Sequence, residues 1–144
     1  MSQHTVPDRI QVRPLDSQDA DAVKTLILDG LRDRWGPLDP TLNRDLENFV
    51  ATYRAGVTLN AWLGQRLVAT GTLMPRGSDI GEVVRMSTAS DCRRLGIASQ
   101  LLGLLIAEAR DRGLRRLVLV TEAEWSDARA LYERHGFVLE REED

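Results

Sequence analysis

Arg93, Arg94 and Gly96 stand directly ahead of an apolar run, Ile97-Ala98-Ser99-Gln100-Leu101-Leu102. Residues of these types suit anion binding if the glycine opens a helix. The first turn of a helix exposes unpaired N–H groups and carries about half a positive charge. Gly96 lets the backbone turn tightly, or approach a ligand, where a side chain would obstruct. Val83, Val84 and Met86 upstream favour a strand, and Gly113 is placed to stop a helix begun at about Gly96. The inference is a phosphate-binding turn on a strand–helix unit, with N–H groups of about Leu95 to Ser99 as donors and Arg93 and Arg94 as charged partners. Spacing alone supports equally a solvated basic turn that merely caps the helix.

Other reactive side chains are weaker candidates. Cys92 lies beside the arginines, a setting that lowers a thiol pKa, but no histidine is near it in sequence, so an exposed loop thiol is the preferred reading. His4 and His135 have no partners at metal-ligand spacing, and no metal site is expected. Tyr132 shares a helix face with Ala128 and Leu131, which on its own reads as a core tyrosine. Trp35, Asp39, Asp45 and Glu47 lie on the first two helices and their link. As a group they would suit a cationic amine, although each alone reads as helix surface or packing.

The elements that would position these residues follow from periodicity. Ile10 and Val12 mark a short strand ended by Pro14. Asp16 and Ser17 can cap a helix with apolar positions at Ala20, Val23, Leu26, Ile27 and Leu31, closed by Gly36-Pro37. Asp39-Pro40 would open a second helix striped by Leu42, Leu46, Phe49, Val50 and Tyr53, with Gly56 as its stop. Val57 to Leu63 and Arg66 to Met74 form a hairpin around Gly64-Gln65, followed by the strand from Glu82. The helix from Gly96 is apolar around more than half its circumference. Leu117 to Val120 reads as a strand covered on both faces, giving a parallel crossover. Ser126 or Asp127 can cap a last helix ending near Gly136, and Phe137 to Leu139 is a final strand. The order is β-α-α-β-β-β-α-β-α-β, an α/β fold with a mixed sheet.

The chain's 144 residues fit a single domain over 1–144, and 42% apolar content is enough for a core. A net charge of −3 argues against a nucleic-acid binder working through bulk charge, while the local Arg93-Arg94 and Arg115-Arg116 clusters suit a small anionic ligand. The one cysteine excludes an intramolecular disulfide and a cysteine zinc cage. No apolar run approaches the roughly 18 residues of a membrane span, and Met1 to Arg9 does not resemble a signal peptide. A cytoplasmic protein is expected.

Arg93-x-x-Gly96-x-Ala98 resembles the pyrophosphate loop, Q/R-x-x-G-x-G/A, of the GNAT superfamily of N-acetyltransferases. Ala128-x-x-Leu131-Tyr132-x-x-x-Gly136-Phe137 resembles that family's last helix and strand, and the two motifs lie in the family's order. The resemblance covers about residues 82–138. It implies acetyl-CoA as acetyl donor, an amine acceptor, and direct transfer in a ternary complex. It further implies that backbone groups at Met86, Ser87 and Thr88 pair with pantetheine and polarise the thioester, and that Tyr132 protonates the departing thiolate and contacts the cofactor. Glu82, eleven residues before Arg93, occupies the place of a strand glutamate that some members use as base. Trp125 stands where members often carry a cofactor-binding asparagine. An indole has one donor and no acceptor, so it would grip the cofactor differently, by packing on pantetheine or the acceptor. The rival readings are a non-catalytic acyl-CoA-binding module and a nucleotide-binding domain. The latter is the weaker, for want of G-x-x-x-x-G-K-[S/T]. The family usually has one more C-terminal strand, whereas only seven residues follow Phe137. That strand is absent, cut short, or supplied by a partner chain in a homodimer.

Overall fold

The computed structural model describes residues 9–120 and 126–138. Five strands form one sheet in sequence order: β1 (Ile10–Pro14), β2 (Val57–Leu63), β3 (Arg66–Pro75), β4 (Ile80–Thr88) and β5 (Arg116–Val118). The first four are antiparallel, and β5 runs parallel to β4. Helix α3 (Ile97–Asp111) makes the connection between them, as its long apolar run requires. Leu101, Leu102 and Leu105 on α3 are fully buried against Ala61, Ala69, Leu73 and Val83 of the sheet. Burial of each such leucine stabilises the fold by about 2 kcal/mol.

The other face of the sheet carries α1 (Ala20–Trp35) and α2 (Phe49–Thr52), whose Val23, Ile27 and Phe49 pack around Leu46. Strand alternation turns Thr58, Asn60, Thr70 and Thr72 toward this face. They pair across the hairpin: Thr58 with Thr72 at 2.7 Å, and the Thr70 hydroxyl donating to Asn60 Oδ1 at 2.6 Å. All four are buried.

Three expectations change. The second helix does not run from Pro40 to Tyr53. Asp39 accepts from the Thr41 N–H, Asn43 turns left-handed at φ 61°, a 3-10 turn spans Arg44–Asn48, and only α2 is α-helical. Asn48 breaks the helical run with φ −137° and accepts from Ala51 N–H, so polar caps override the apolar stripe and leave Leu42 exposed. The apolar run Leu117 to Val120 is a strand only through Val118, and Val120 is 78% exposed. Phe137 and Val138 are not in a strand, and Leu139 lies outside the described residues.

Candidate functional site

Strands β4 and β5 stay together for three residue pairs, the last being Glu82 with Val118. Beyond it β4 continues to Thr88 with no strand on that side among the described residues. Helix α4 (Ser126–Arg134) and the first turn of α3 flank the opening. The result is a cleft of about 1370 Å³ floored by Glu82 to Thr88. Its divergence is sharpened by a bulge in β4. Between the pairs Thr72–Val84 and Thr70–Ser87, β4 has one residue more than β3, and Arg85 takes a left-handed φ of 55°. Gly71 faces this bulge, and a β-carbon there would collide with Met86 Sδ.

At one end of the cleft lies the basic turn. Arg94 and Gly96 both have positive φ (66° and 82°), so the backbone curls into the start of α3, and no side chain caps that helix. Its first N–H groups are therefore open to an anion. Leu95, Ala98 and Ser99 remain at least partly accessible there, whereas Ile97 is buried and anchors the turn. Arg93 lies 3.5 Å from Asp33 of α1. Ser99 Oγ and His135 Nε2 are 2.7 Å apart, tying this turn to the end of α4. Cys92 corrects an expectation: it is 5% exposed, packed with Val68 and Ile97, and burial pushes its thiol pKa up. The 3-10 turn at Ser90–Cys92 rotates it inward to fill the core, so neither an exposed thiol nor an activated nucleophile is present.

Tyr132 lines the middle of the cleft from α4, its ring edge-on to Phe137. Burial pushes its phenol above the ordinary range. The Arg34 guanidinium opposes that shift and Asp127 adds to it. Arg34 and Asp127 join α1 to α4 through two hydrogen bonds of 3.1 and 2.9 Å. Glu82 lies at the far end, where Arg76 Nε donates to Oε1 at 2.7 Å. Oε2 makes no hydrogen bond among the described residues.

Arg85 and Tyr53 also line the cleft, and they meet at a carboxylate that does not. Arg85 donates to both oxygens of Asp45 (2.9 and 2.6 Å), and the Tyr53 hydroxyl donates to the same group. Burial alone would raise the Asp45 pKa, but Arg85 and Tyr53 outweigh it and hold it below the usual range. Of the residues expected on the acceptor side, none lines the cleft. Asp45 is taken up by Arg85, Asp39 by Thr41, Glu47 pairs with Arg44 at 3.8 Å, and Trp35 is 57% exposed. The sequence offers Tyr53 only as a packing position and Asp127 only as a helix cap, and it marks neither Arg34 nor Arg85 as a site residue. The one available signal was an arginine interrupting the apolar run Val83-Val84-Arg85-Met86.

The model of the acetyltransferase (GNAT) family matches residues 20–137 of this chain. The chain belongs to the GNAT family. Among curated proteins it is similar to the uncharacterized N-acetyltransferase YsnE of Bacillus subtilis, 40% identical over 54% of this chain and 53% of that protein. It is also similar to the mycothiol acetyltransferase of Cellulomonas flavigena, 39% identical over 42% of this chain and 18% of that one. The chain thus spans about half the length of the first of these relatives and less of the second. Its fold matches a GNAT acetyltransferase of Staphylococcus aureus (TM-score 0.81, 21% identity, 88% of this chain and 83% of that one). It also matches a predicted acetyltransferase of Clostridium acetobutylicum solved with acetyl-CoA (TM-score 0.76, 21% identity, 92% of each chain).

The resemblance implies a cleft that accepts a pyrophosphate at one end and a thioester in the middle. The uncapped α3 N-terminus and the paired positive-φ residues beside it fit the first need. The run of β4 from Val83 to Thr88, which pairs with β3 but has no strand on its β5 side among the described residues, fits the second. Trp125 lies outside the described residues.

Proposed function

We propose that this GNAT chain transfers an acetyl group from acetyl-CoA to an amine, small-molecule or peptidic, in a ternary complex. The parting of β4 from β5 at Glu82, with an uncapped helix N-terminus at the other end of the same cleft, is the observation that carries this reading. Acetyl-CoA would supply a thioester whose acyl carbon an amine nitrogen can attack.

The chain's own groups have five tasks. N–H groups of Leu95 to Ser99, with Arg93 and Arg94, hold the pyrophosphate. Backbone groups of Met86, Ser87 and Thr88 align pantetheine. An N–H near Met86 stabilises negative charge on the carbonyl oxygen, worth roughly 3 kcal/mol in the transition state. Glu82 Oε2, through water, takes the proton that the ammonium must lose. For an amine of pKa about 10.4 that loss otherwise costs roughly 4 kcal/mol at neutral pH. A C–N bond forms, the C–S bond breaks, the Tyr132 hydroxyl gives its proton to the departing sulfur, and the second proton shed by the acylated nitrogen restores the phenol. Burial keeps that phenol protonated at neutral pH. Action in the cytoplasm, as the composition suggests, and pairing of two chains to cover the sheet's end complete the proposal.

Calorimetric titration with acetyl-CoA, with CoA and ATP as controls, tests the donor site. Acetyl-CoA should bind, ATP should not compete, and Arg93→Ala/Arg94→Ala should weaken binding at least tenfold. Tyr132→Phe should lower turnover by about 10- to 100-fold while leaving affinity within threefold. Equal loss of both would favour binding without catalysis.

A further inference from the structure

We propose that the acceptor is an amine that also bears a carboxylate, an amino-acid-like zwitterion whose carboxylate is received by Arg85. The inference rests on the acetyltransferase reading and names the substrate class of the same cleft.

The α3 N-terminus and Met86 to Thr88 account for the donor, so the acceptor must take the remainder, from Arg85 to Glu82. That half is walled by Arg34 and Leu31 of α1, by Tyr53, and by Asp127 of α4. Arg85 is its distinctive group. Its backbone is left-handed at φ 55°, a conformation that costs a non-glycine residue free energy and is held here by the surrounding bulge. Its Nε and Nη2 are bound by Asp45 and Asn43, which fixes the plane of the guanidinium, Tyr53 interacts with the same group, and Nη1 takes no part in the Asp45 and Asn43 contacts. An arginine immobilised by one carboxylate and presenting a further donor to a cleft is suited to a second, planar anion.

The acidic groups argue the same way. A polycationic acceptor would need carboxylates facing the cleft without cations of their own. Asp45, Asp39 and Glu47 do not line it, Asp127 is held by Arg34, and Glu82 is shared with Arg76. A second positive charge on the acceptor would find no carboxylate there without a cation of its own. A zwitterion needs none, with its amine toward Glu82 and its carboxylate on Arg85 Nη1.

The test uses the full chain with acetyl-CoA and matched amines: a set of L-amino acids, the corresponding amino-acid amides, the decarboxylated amines, and spermidine. Product acetyl-amine is quantified by mass spectrometry. Amino acids should exceed their amides by at least tenfold in kcat/KM. Arg85→Ala should collapse that ratio to below threefold, acting on KM more than kcat, and Arg85→Lys should restore part of it. Retained acetyl-CoA binding by each variant shows that it is folded. Turnover of amides, simple amines or spermidine in preference to amino acids, or of no amino acid at all, overturns this inference and leaves acetyl transfer standing. Failure of the parent chain to bind acetyl-CoA would remove the acetyltransferase reading itself, and this inference with it.

Discussion

Arg85 and Asp45 illustrate how one contact serves both stability and chemistry. Both side chains are about three-quarters buried, so removing the carboxylate leaves a guanidinium without its anion. Asp45→Asn should destabilise the fold by about 2 kcal/mol, measured by urea unfolding at neutral pH. The pH dependence has a definite sign. The Asp45 pKa is lowered in the folded state, so its stabilisation is full above the unfolded value of about 3.9 and fades as pH falls through the folded value. The gap between parent and Asp45→Asn should therefore close on acidification. Tyr132 offers a second case. Arg34 lowers its pKa and Asp127 raises it, so Arg34→Ala should move the basic limb of the kcat profile upward and Asp127→Asn downward. Equal shifts of one sign from both variants would show that the pair acts only by bracing the helices.

At the scale of elements, the start of α3 was legible because its cues are local: two arginines, a glycine and an apolar period within ten residues. Gly96→Ala would force a β-carbon into φ 82°, which costs about 1–2 kcal/mol, and acetyl-CoA affinity should fall with it. The β4 bulge was not legible. It arises from strand pairing, and its one marker, Gly71, sits on the opposite strand. Gly71→Ala must displace Met86, and about 1–3 kcal/mol of destabilisation is expected in denaturant unfolding. The second helix misled for the reverse reason. Its apolar spacing was right for packing, since Leu46 and Phe49 are buried, but Asn43 before Leu46 and Asn48 after it interrupt the helical backbone. The acceptor half of the cleft escaped notice because its contacts join residues 40 and 93 positions apart.

Across the whole molecule, the two faces of the sheet are packed on different terms. Beneath α3 the contacts are aliphatic. Beneath α1 they include the two polar pairs, Thr58 with Thr72 and Asn60 with Thr70. Asn60 Nδ2 finds no partner among the described residues, so this layer adds little net stability. Asn60→Val/Thr70→Val should be at least as stable as the parent in equilibrium unfolding. Those pairs matter more while the chain is still choosing its structure. A β2–β3 hairpin displaced by two residues keeps the same side chains facing inward, so greasiness alone would not reject it. It would, however, set Asn60 against Thr72 and strand the hydroxyls of Thr58 and Thr70 away from water. The polar pairs thus act as a proofreading device for the nascent hairpin. The doubly valine-substituted chain, for all its equilibrium stability, should refold more slowly and with a larger misassembled fraction.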